Sequence, residues 1–74
     1  MVILSSSIAS YADEYFEVLA EIKALMTDGD LENAYRIALP YEYSDVRLDL
    51  KLAQISMLMG REEKAFVIFE RLSI

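Results

Sequence analysis

The chain contains no cysteine and no histidine. Without thiols it forms no disulfide, and without thiolate or imidazole the usual zinc site is excluded. The same absences remove the imidazole base and the thiol nucleophile. The serines at 5, 6, 7, 10, 44, 56 and 73 therefore lack a partner for a Ser-His-Asp arrangement. Only two glycines are present, Gly29 and Gly60, too few for a loop that cradles phosphates. Cations are scarce: seven Lys and Arg stand against thirteen Asp and Glu, a net charge of −6. Phosphate contacts need a cationic footprint, so nucleic acid is not an expected partner. Anionic membrane surfaces are disfavoured for the same reason. No apolar run is long. Met1-Val2-Ile3-Leu4 has no basic residues before it and ends at Ser5-Ser6-Ser7, too short for a signal-peptide core or a bilayer span. These absences lead us to expect a cytoplasmic protein with no membrane partner.

Two acidic features bear on possible chemistry. Asp13 with Glu17, and Glu17 with Glu21, lie four apart on one helix face, and paired carboxylates can perform acid–base work. On a surface helix such a series reads as solvated charge. Asp28-Gly29-Asp30 with Glu32 resembles a calcium loop only in part, because the twelve-residue ligand pattern is missing. It reads as a helix–helix turn with its caps. We expect no metal, no cofactor and no enzymatic activity.

What the chain has in abundance is apolar residues, 55% of 74. A domain this small buries only about 60% of the surface its unfolded chain exposes. With no disulfide or metal to add stability, oligomerisation or a partner remains, and surplus apolar surface is expected to serve it.

The whole chain, 1–74, reads as one all-α domain of four helices. The first spans about 10–27, with Ser10 as N-cap and Asp13 three residues on. Tyr15, Phe16, Leu19, Ile22 and Met26 recur at helical spacing, and Val18 and Leu25 widen the stripe. Acids crowd its first half, where the helix dipole favours them. Gly29 stops it. The second spans about 30–39, capped by Asp30, with Leu31, Ala34, Tyr35 and Ala38 as its buried face. Pro40 ends it. Pro40 to Tyr43 is a linker.

The third helix spans about 45–59. Its start, Val46-Arg47-Leu48-Asp49-Leu50-Lys51-Leu52, alternates as a strand would. A lone strand would have no sheet to join, and no turn signal separates it from the following residues. As a helix it carries leucines on two faces, which suits an element packed on both sides. Gly60 stops it. The fourth spans about 62–72, with Ala65, Phe66, Ile68, Phe69 and Leu72 as a broad buried side.

The pattern repeats. Gly29 and Gly60 are 31 residues apart, each followed five residues later by alanine, Ala34 and Ala65. At the same offset Leu19 falls on Leu50, Ile22 on Ala53 and Met26 on Met57. Each unit is a longer helix, a glycine turn and a shorter helix. A period of this size points to a helical solenoid, and a generic pair of helical hairpins with a chance likeness is the alternative.

Ala53, Gly60, Ala65 and Phe69 match the small residue, glycine, alanine and aromatic of the tetratricopeptide repeat at their family spacing, so the second unit resembles that family. The first unit departs from it, with Ile22 at the small position and Ala38 at the aromatic one, and the spacing is shorter than the family's usual 34. The resemblance implies two consecutive antiparallel helical hairpins in a right-handed stack. It also implies a concave face lined by the first helix of each unit: Phe16, Leu19, Lys23 and Met26, then Arg47, Leu50, Gln54, Met57 and Leu58. Such an apolar strip suits the face of an amphipathic helix. Core packing is the alternative reading, above all for Leu19 and Leu50. Tyr41 and Tyr43 in the linker are candidates for an interface, because the phenol tolerates a wet edge; capping of a small core is the other reading.

Residues 25–34, together with Leu48 to Gly60 and Glu63-Lys64-Ala65, resemble the small co-chaperone of the type III secretion needle subunit, over about 50 of the 74 residues. That resemblance implies a hetero-oligomer with a second small helical co-chaperone. The pair would hold the C-terminal helix of the needle subunit and keep it monomeric in the cytoplasm before export. The alternative is a self-assembling or inhibitory interaction module unrelated to secretion.

Overall fold

The computed structural model describes residues 14–73. Four α-helices follow one another: α1 (Phe16–Thr27), α2 (Leu31–Ala38), α3 (Val46–Leu58) and α4 (Glu62–Leu72). A 3-10 turn, Leu39–Tyr41, extends α2. No strand occurs among the described residues, and the alternating stretch 46–52 is helical, so the described part of the chain is all-α, as expected. The sequence predicts the first helix from about residue 10; Glu14 and Tyr15 form a turn and α1 begins at Phe16, while the expected Ser10 cap lies outside the described residues. Pro40 sits in the first turn of the 3-10 segment, where its missing N–H costs nothing.

The two glycine turns are the same structure built twice. Gly29 has φ +80° and Gly60 +81°. At the first, the Gly29 N–H donates to the Met26 carbonyl (3.0 Å) and the Asp30 N–H to that of Leu25 (2.8 Å). At the second, the Gly60 N–H donates to Met57 (3.0 Å) and the Arg61 N–H to Ser56 (2.7 Å). These are the paired bonds of a Schellman motif, which satisfies carbonyls left open at a helix end and needs a left-handed residue. The next helices then begin alike, Ala34 N–H to Asp30 and Ala65 N–H to Arg61, both at 3.1 Å. Every one of these pairs keeps the 31-residue offset.

Contacts run between chain neighbours: α1 with α2, α2 with α3, and α3 with α4, while α1 also reaches α3. The core cluster is Ile22, Ala34, Ala38, Leu48, Leu52, Ala53, Ile55 and Ile68, half of it from α3. Two expectations are corrected. On α4 only Ala65 and Ile68 are buried; Phe66 is 66% exposed and Phe69 is also on the surface. Among the described helices α4 contacts α3 alone, and it buries one narrow stripe. On α3, Leu48, Leu52, Ala53 and Ile55 are buried, while Val46, Leu50, Met57 and Leu58 are exposed. The helix packs over one broad side, not all round.

A polar cluster ties the linker to α3 and α4. Asp49, 5% exposed, accepts from the Tyr43 N–H at 2.9 Å. Arg71 lies 3.2 Å from Asp49 and 3.6 Å from Glu42, and Lys64 donates to both Glu42 carboxylate oxygens at 2.8 and 3.0 Å. The Arg71 contact with Asp49 is a charge contact, its N–H not aligned as a hydrogen bond. Tyr43 has φ +75°, a left-handed backbone that costs a tyrosine about 1–2 kcal/mol. The Asp49 acceptor and the Arg71 guanidinium, 4.2 Å from the Tyr43 ring centroid, hold it there.

Candidate protein-binding cleft

The contact between α1 and α3 leaves a depression of about 500 Å³ between them. Phe16, Leu19, Ala20 and Lys23 line it from α1, and Arg47, Leu50 and Lys51 from α3. The first set has the i, i+3, i+4, i+7 spacing that places side chains on one helix face, and the second repeats its first three steps. The two walls are related by the internal repeat: Phe16 corresponds to Arg47, Leu19 to Leu50 and Ala20 to Lys51.

Five of the nine residues assigned to a concave face by resemblance thus meet in this depression: Phe16, Leu19, Lys23, Arg47 and Leu50. Phe16 is 63% and Leu50 39% exposed, while Leu19 packs partly against the core. Ala20 and Lys51 escaped the sequence reading. They are partners at the 31-residue offset, but an alanine facing a lysine leaves no likeness along the sequence that marks them. Met26 packs partly on the core, and Gln54 is half-buried. Leu58 is exposed. Met57 lies elsewhere, in a second depression of about 430 Å³ shared with Glu62, Glu63, Phe66 and Phe69.

The two linker tyrosines part company. Tyr41 packs against the core and meets Tyr15 edge-to-face, with ring centroids 6.0 Å apart. Tyr43 is 73% exposed. The Tyr15 phenol is pushed above its usual value by burial and then by Glu14 beside it.

Asp45 anchors the α3 wall. Its side chain caps the helix by accepting from the Arg47 N–H at 2.8 Å, and it pairs with the Arg47 guanidinium at 2.9 Å. The Arg47 hydrogen bond holds the Asp45 carboxyl below its usual range, against some desolvation. Arg47 is thereby fixed at the mouth of the cleft.

No cluster of His, Cys, Asp and Glu able to hold a metal ion occurs among the described residues. Nor is any described helix long and apolar enough to cross a membrane. The arrangement offers apolar contact edged by cations, which is the chemistry of association. Comparison of the chain with protein-family models, with curated proteins and with solved structures finds no match.

Proposed function

We propose that this chain is a non-catalytic helical-repeat module that binds an amphipathic helix of a partner protein in the α1–α3 cleft. In this reading the helices form two antiparallel hairpins stacked in the right-handed manner of tetratricopeptide repeats. The matching hydrogen bonds at Gly29 and Gly60 support that arrangement. The observation that carries the binding role is the cleft itself. Equivalent positions of the two units line it, and Phe16 and Leu50 stand exposed there in a chain with few other means of stabilisation. An amphipathic helix supplies apolar side chains at the same i, i+3, i+4 spacing.

The likeness to the needle-subunit co-chaperones gives the reading a concrete form. The partners would be a second small helical co-chaperone and the C-terminal helix of a type III secretion needle subunit, met in the cytoplasm. Covering the apolar stripe of a helix that polymerises would keep it monomeric. Burial there is worth roughly 25 cal/mol per Å² of apolar area before ordering costs.

A second reading rests on a different observation. Met57, Phe66 and Phe69 are exposed and share the α3–α4 depression, a face suited to self-association.

Native mass spectrometry of the protein isolated gently from its own host separates the two. Equal stoichiometry with two other small helical chains is expected, and Leu50→Asp is expected to abolish that complex while circular dichroism retains its helical signal. A homodimer alone would replace the first reading with the second. Loss of helicity in Leu50→Asp would make Leu50 a core residue.

A further inference from the structure

The cations of this acidic chain are not evenly employed. Among the described residues, Arg47, Lys64 and Arg71 pair with carboxylates, Arg36 donates to Asn33, and Arg61 lies over the Tyr35 ring at 4.4 Å. Among the described residues, Lys23 and Lys51 have no ion pair, hydrogen bond or ring contact. Both line the α1–α3 cleft, one on each wall. The chain carries thirteen acids, yet neither lysine is paired with one among the described residues.

Lys51 is half-buried beside Leu50, so part of its stem already lies on the apolar floor. Lys23 and Lys51 thus flank an apolar floor, with Arg47 beside them paired to Asp45, on a protein whose net charge is −6. The second depression has the opposite edge, Glu62 and Glu63.

We infer that the occupant of the α1–α3 cleft is an amphipathic helix with carboxylates flanking both sides of its apolar stripe, paired with Lys23 and Lys51. This rests on the proposed helix-binding role and adds the charge signature of the partner. The rest of the acidic surface repels such a helix, so the lysines set where and in which rotation it docks.

The test uses the full chain and three synthetic 18-residue helices. They share one leucine stripe and differ only in flanking residues: all Glu, all Gln or all Lys. Binding is read by fluorescence anisotropy at low and at high salt. The Glu-flanked helix is expected to bind about tenfold or more tighter than the Lys-flanked one, with Gln between, and the spread is expected to shrink as salt rises. Lys23→Glu with Lys51→Glu is expected to reverse the order, and Lys23→Gln with Lys51→Gln to flatten it. Circular dichroism of each variant checks that the helices persist. Equal binding of all three helices, or an order that survives both double substitutions, would overturn the charge signature and leave helix binding intact. Failure of all three to bind would overturn the helix-binding role, and the signature with it.

Discussion

In the first unit, α2 has a helix on either side, reached through the Gly29 turn from α1 and through the linker to α3. In the second unit, α4 contacts α3 alone among the described helices. The backbones match almost bond for bond at the offset of 31, with Gly29 and Gly60 within a degree in φ and Ala34 and Ala65 both fully buried. The side chains do not share the same fate. Tyr35 is half-buried and Ala38 fully buried, whereas their counterparts Phe66 and Phe69 face outward. A turn motif is closed by its own few residues, so it repeats wherever the local sequence repeats. Burial needs a neighbour, and the neighbours of the two units differ.

The largest effect that sharpens this contrast comes from enlarging the two buried alanines. Ala34→Leu is expected to cost about 2–3 kcal/mol, because α2 is held between helices and cannot yield. Ala65→Leu is expected to cost about 1–2 kcal/mol, since α4 can move outward from its single neighbour. Urea denaturation compares the two. Equal losses would show that α4 is as confined as α2.

The glycine turns provide the next test, and here the units should agree. Nothing lies within 4 Å of a Cβ built at either position, so Gly29→Ala and Gly60→Ala meet no steric obstacle. Each is expected to lose about 1–2 kcal/mol from the left-handed backbone alone, and asparagine at either site should restore part of it. Thermal melts that separate the two variants widely would break the equivalence of the turns.

The smallest effects concern the aromatic pair. Tyr35→Gln removes a half-buried ring that packs on the core and carries Arg61 at 4.4 Å, and it is expected to cost about 1–2 kcal/mol. Phe66→Gln is expected to stay within about 0.5 kcal/mol of the parent. Chemical denaturation at two chain concentrations reads both. A large loss at Phe66 that grows with chain concentration would mean that this ring is covered by a second copy, which would favour the self-association face.

The helices were legible because their signals are local. Asp30 accepts from the Asn33 N–H at 3.4 Å, the expected cap, and both glycines stop their helices in left-handed backbone. The alternation from Val46 to Leu52 misleads if read by period alone. Leu48, Asp49 and Leu52 face inward at helical spacing, and Leu50 does not. Hydrophobicity also marked Phe66 and Phe69 for the core, but no pattern along one helix says how many helices surround it. For the cleft, the resemblance supplied Phe16, Leu19, Lys23, Arg47 and Leu50. Ala20 and Lys51 needed the second helix in place, because neither has an apolar periodicity of its own to reveal it.

Alone, then, the sequence determined the helix-forming segments, the two glycine turns and their 31-residue repeat, and it excluded disulfides and thiolate or imidazole metal sites. Those outcomes depend on residue chemistry and on bonds spanning at most a few positions. The tertiary structure decided that Asp49 is buried to hold Tyr43 and meet Arg71, that α4 keeps an outer apolar face, and that two unpaired lysines share one cleft. Each of these joins residues from different elements, and only the packing of helices sets the distances between them.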